Sequence, residues 1–125
     1  MKPSILALSL STLLMLTACA NSPRSTEQIL SDRGFQRGET VDRIKDYQIS
    51  GWNYVDERHV IFNAGPSRNY LITLKIDCRD LSGAETIGFS STTSDVTRFD
   101  KVVVGTPIGP RSCPIDTLTK LEKID

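Results

Sequence analysis

The chain has one histidine, His59, one tryptophan, Trp52, and only three cysteines. No Cys-x-x-Cys spacing occurs, and no second histidine stands beside the first. Metal ligation and dithiol redox chemistry therefore have no motif to rest on, and no cofactor is called for. Fifteen basic residues are balanced by fifteen acidic ones, with no block of either sign. The positive stripe that nucleic-acid binding requires is missing. A Gly-x-Ser-x-Gly nucleophile elbow is missing too. There is no internal repeat, and the only low-complexity tract is Ser90-Ser91-Thr92-Thr93-Ser94.

The longest apolar run, Ile5 to Ala18, covers 14 residues. That is short of the roughly 20 needed to span a bilayer and matches the core of an export signal. Met1 and Lys2 give it a positive start, and it ends Leu16-Thr17-Ala18-Cys19. This ending resembles the lipobox of bacterial lipoproteins: an aliphatic residue, two small ones, then a cysteine. In that pathway the thiol accepts a diacylglyceryl group and the peptidase cuts before it. Two or three acyl chains then make membrane attachment effectively permanent. The alternatives, an ordinary signal peptide with a chance cysteine or a buried core helix, leave the register of charge, core length, small residues and cysteine unexplained. Ala20 follows the cysteine, where aspartate would favour inner-membrane retention in enteric-type bacteria. The expected address is the outer membrane, facing the periplasm.

Removal of residues 1–18 leaves 107 residues, a size suited to one small domain. Cys78 and Cys113 remain. In an oxidising compartment an even count argues that they pair with each other. Closing that loop is worth roughly 3–4 kcal/mol in the chain-entropy model. The expected organisation is an export signal at 1–18, a lipidated terminus and polar tether at 19–40, and a small β domain at 41–125.

Within the tether, Thr26 is the expected cap of a helical turn through Ile29 and Leu30, ended by Gly34. Residues 38–46 are mixed and charged. Strand patterning begins at Tyr47 and continues through Trp52-Asn53-Tyr54, with Asp56-Glu57-Arg58 as a turn. His59 to Ala64 places Val60, Phe62 and Ala64 on one face, and Gly65-Pro66-Ser67-Arg68 is a turn signal. Tyr70, Ile72, Leu74 and Ile76 then alternate with Leu71, Thr73, Lys75 and Asp77, the period of two that defines a half-buried strand. Residues 80–84 read as a helical turn and 85–90 as a short strand. Lys101 to Gly105 reads as a buried strand, and Thr106 to Arg111, with two prolines, as a loop. Cys113 to Leu121 fits a helix begun by Pro114 or a strand favoured by its threonines; the strand is preferred. The expected fold is mainly β: a small antiparallel meander curling into a partly closed barrel of OB or SH3 type, with short helical turns and one disulfide. That bond would join the end of the third strand to the start of the last.

The stretches Tyr47 to Asp56, His59 to Phe62 and Gly65 to Leu74, with Cys78, Phe99-Asp100 and the Cys113 segment, resemble a family of short, uncharacterised proteobacterial lipoproteins. It is known only as a domain of unknown function. The resemblance covers most of the chain from about Val41 onward. It implies an envelope address and the pairing of the two cysteines, and no activity, ligand or catalytic residue.

Candidate chemistry is sparse. His59, as a general base, would serve a hydrolase with Asp56 or Asp95 and a serine of the 90–94 run. The plainer reading is a half-exposed residue opening a strand. Paired carboxylates, Asp77 with Asp80 or Asp56 with Glu57, are more simply turn residues. Arg68 could hold an anion, or pair with a neighbouring acid. Trp52, Tyr54 and Tyr70 could form an aromatic platform for a sugar or peptide, or belong to the core. The leading expectation is a lipid-tethered, non-enzymatic module that binds an envelope protein or peptidoglycan or plays an accessory part. A small-ligand-binding domain is the alternative and would show a concave apolar pocket. A hydrolase centred on His59 is the third reading.

Overall fold

The computed structural model describes residues 24–48 and 50–124. The expected export signal, residues 1–18, and Cys19 lie outside them. The described residues form one helix, α1 (Thr26–Asp32), and nine strands: β1 (Phe35–Val41), β2 (Arg43–Ile44), β3 (Gly51–Asp56), β4 (His59–Gly65), β5 (Arg68–Leu74), β6 (Ile87–Phe89), β7 (Val96–Thr97), β8 (Lys101–Thr106) and β9 (Gly109–Lys123). A single 3₁₀ turn covers Arg79–Gly83. The main sheet has the order β3-β4-β5-β9-β8-β6, with β1 also paired to β9; β2 and β7 form a separate ribbon. Every pairing is antiparallel, and the sheet curls into the expected half-barrel. Among the described residues no helix is long and apolar enough to cross a membrane.

The meander follows the alternation read from the sequence. Turns of two residues join β3 to β4 and β4 to β5, bringing Asp56 opposite His59 and Gly65 opposite Arg68. Val60, Phe62 and Ala64 of β4 and Tyr70, Ile72 and Leu74 of β5 fill the concave side. Ile61 and Leu71 fill the convex side, so these two strands are covered on both faces. Ile76 departs from the expectation. Pairing with β9 slips after Thr73 and β5 ends at Leu74, leaving Ile76 57% exposed.

β9 is the hub, and it settles the ambiguous C-terminal segment as a strand. One edge takes β5; the other takes β8 along its first half and β1 along its second. The expected loop at Thr106–Arg111 is instead the tip of the β8–β9 hairpin, with Thr106 paired to Gly109 across Pro107 and Ile108. Its prolines fit a strand because of where they fall. Pro114 O accepts from Lys75 N–H while Ile115 N–H donates to Asp100 O, so even-numbered residues here turn their backbone groups away from β8. Pro110 and Pro114 thus place their missing N–H groups on that side, and Pro110 does so where β5 has not yet joined. Proline on an unpaired edge loses no ladder bond and blocks further strand addition.

The tether reading of residues 19–40 is corrected from residue 25 onward. Ser25, not Thr26, is the N-cap: its hydroxyl accepts from Gln28 N–H at 3.2 Å, and the Gln28 side chain accepts from Ser25 N–H at 3.3 Å. This capping box satisfies two donors that the helix itself cannot. Gly34, at φ 83°, ends the helix as expected. β1 then runs along β9. Its alternation was illegible because a bulge between Arg37 and Thr40 breaks the register and because it is largely exposed. A Cβ on Gly38 would stand 3.0 Å from Glu122 Oε1 and 3.1 Å from the Lys120 carbonyl, so a side chain there would press on β9.

The mouth of the half-barrel is filled from distant segments. Ile44 of β2 and Val96 of β7 are fully buried in the concave core. Tyr47, Phe62 and Phe89 meet edge to face with centroids 5.0–6.0 Å apart, which ties β6 and the segment before β3 to β4. On the convex side Leu30 of α1 packs with Val55, Ile61, Leu71 and Leu121. The Cys78–Cys113 disulfide joins the chain leaving β5 to the first half of β9, as expected.

Candidate functional site

The five side chains singled out from sequence do not converge. Arg68 and Tyr70 line one cleft; His59 stands at the opposite end of β4, about 20 Å away at the rise of an extended strand. Trp52 and Tyr54 pair across from Phe62 and Val60 and lie half-buried against the concave core. Each packs against the core with part of its ring left at the surface. Tyr54 is held above the usual phenol range by burial, and then by the charges of Glu57 and Asp56. The interior behind them is filled by Phe62, Ile72, Leu74 and Leu118, all fully buried, so the barrel offers no apolar ligand chamber there.

At the His59 end, half of a hydrolytic triad is present. His59 Nδ1 lies 2.7 Å from Asp56 Oδ1, and Asp56 also accepts from Arg58 N–H at 2.8 Å and from the Thr26 hydroxyl at 3.1 Å. Burial disfavours the Asp56 charge. The bonds from His59, Arg58 and Thr26 outweigh it and hold the carboxyl below the ordinary range. Among the described residues no nucleophile completes it. Ser90 bonds Asp100, Ser91 bonds the Asp95 carbonyl and Ser94 bonds Asp46. These serines belong to the segment that meets Tyr47 near the far end of β4. Thr73 lies directly across from His59, but its Oγ1 is buried and unpartnered, closed to a substrate. Thr26 bridges α1 to this turn, so the arrangement fixes the helix on the sheet. The carboxylates of the paired-acid readings are engaged likewise: Asp80 with Arg111 at 3.4 Å, Asp77 near Arg58 at 4.0 Å.

The cleft at the other end has a volume of ≈ 300 Å³ and is lined by Ser67, Arg68, Asn69, Tyr70, Lys120 and neighbouring β9 residues. Arg68 closes the β4–β5 turn. Its guanidinium donates to the carbonyls of Lys45 at 2.5 Å and Asp46 at 3.4 Å and sits 5.9 Å from the Tyr70 ring centroid. Tyr70 pairs in register with Lys120 of β9, which puts both side chains on one face. Lys120 Nζ meets Glu39 of β1 at 3.0 Å, and that hydrogen bond raises its pKa above the ordinary lysine value. Sequence reading missed Lys120 and Glu39. They sit 81 positions apart and meet only through the pairing of β1 with β9. No local pattern could have linked them.

The fold and its bond define a small disulfide-linked β domain with a polar cleft at one end of the meander. The chain matches, over residues 1–125, a family of unknown function, DUF6491, and it belongs to that family. No curated protein and no solved structure matches it.

Proposed function

We propose that this protein is a lipid-anchored cell-envelope protein, held to the periplasmic face of a bacterial outer membrane through Cys19. Its domain serves as a non-enzymatic binding or accessory module for an envelope protein or peptidoglycan. The observation that carries the reading is Leu16-Thr17-Ala18-Cys19 closing a charge-free apolar run behind Lys2. The Cys78–Cys113 bond agrees with an oxidising compartment. That none of the described residues places a nucleophile beside His59 favours binding over catalysis.

Six residue steps separate Cys19 from the helix cap Ser25. Fully extended, such a span reaches about 20 Å at most. The domain would therefore work close to the bilayer, not far out in the periplasm. Mass spectrometry of the mature protein should find an acylated Cys19 at the amino terminus. Cys19→Ser should leave the chain unprocessed or move it out of the membrane fraction. An unlipidated mature terminus would end the proposal. The small-ligand reading keeps one observation in its favour, the Arg68 cleft, and crosslinking in intact cells separates it from a macromolecular partner.

A further inference from the structure

We infer that the cleft framed by Arg68, Tyr70 and Lys120 is an oxyanion site that receives the carboxylate or phosphate of a small ligand. Arg68 is oriented but not neutralised. Of the eight other arginines, six, at positions 24, 37, 43, 58, 98 and 111, have a carboxylate within 4.0 Å. Among the described residues Arg68 has none; Arg33 and Arg79 share that lack, but only Arg68 lines this cleft. Two backbone carbonyls hold it instead, and they fix its direction without cancelling its charge. A guanidinium held in one position loses little entropy when it takes up an oxyanion.

A second cation faces the same space. Lys120 lies across from Tyr70, and Arg68 acts on it as a like charge, weakly beside its bond to Glu39. Two cationic residues lining one cleft repel each other unless an anion enters between them. Lys120 has such an anion now in Glu39, but the pair is exposed on both sides. Exposed pairs of this kind contribute little and exchange readily. Glu39 thus acts as an internal stand-in that an incoming carboxylate or phosphate displaces. Ser67 and Asn69 supply further polar groups on the wall. Glu122, the remaining acid of the cleft, is folded against β1: its Oε1 would lie 3.0 Å from a Cβ on Gly38. The volume of ≈ 300 Å³ suits one small molecule.

The inference stands apart from the lipid anchor, since it uses only the folded domain. Calorimetric titration of the full chain with inorganic phosphate, and separately with succinate, tests it; the probe that binds identifies the source of the oxyanion. Lys120→Met should weaken binding about tenfold, the loss of one charge-assisted hydrogen bond. Glu39→Gln removes the competitor and should tighten binding about threefold. Arg68→Met should abolish it. Because Arg68 also holds the 45–46 segment, its result is read together with the other two variants, which leave that segment alone. No saturable binding of either probe, or affinities unmoved by both Lys120→Met and Glu39→Gln, overturns the assignment.

Discussion

The two faces of the β3-β4-β5-β9 sheet are built in opposite ways. The concave face is packed by side chains from nearly every strand, including Ile44, Val96, Val102 and Val104, which arrive from distant stretches of chain. The convex face depends on one seven-residue helix, anchored by Leu30 and held at its first turn by Thr26 on Asp56. A helix that short has no stability of its own in water. It exists because Leu30 removes apolar surface from solvent and because Ser25 caps it. One face is therefore cooperative with the whole domain, and the other is a local, separable unit.

Three substitutions test that contrast. Phe62→Ala removes the ring at the centre of the Tyr47–Phe62–Phe89 cluster and should lower global stability by about 3–5 kcal/mol in chemical denaturation. Leu30→Ala should lower it by about 2–3 kcal/mol. Hydrogen exchange should then accelerate in α1 and β1 well before β4 and β5. Uniform acceleration across the sheet would show that the two faces are one unit after all.

The smallest expected effect is that of Asp56→Asn, about 1–2 kcal/mol, confined to the docking of α1. It carries a pH signature. The Asp56 pKa is depressed in the folded state, so its contribution is complete above the unfolded value of about 3.9 and fades as pH falls through the lower folded value. Acid titration of stability should lose part of its slope below about pH 4 in the variant. An unchanged profile would remove Asp56 from the latch.

The legible elements share one property: their pattern is decided by residues near in sequence. Alternation from Tyr70 to Leu74, the turn at Pro66-Ser67 and the helix stop at Gly34 were all visible. β1 was not, because a bulge and a mostly exposed surface erased its alternation. The hairpin strand beginning at Gly109 was hidden by prolines, which forbid a strand only when their nitrogen must donate. Of the cleft, Arg68 and Tyr70 could be picked out individually. Their union with Lys120, and the counter-charge from Glu39, could not.

Residue order by itself determined the mainly β character, the meander and the pairing of Cys78 with Cys113. Each of these follows from local periodicity or from counting. Tertiary structure alone decided that β9 would serve three partners, that α1 would cover the convex face, and that Arg68 would lack a carboxylate among the described residues. Register between strands distant along the chain sets which charges meet, and that register is fixed only when both faces of the sheet are packed at once.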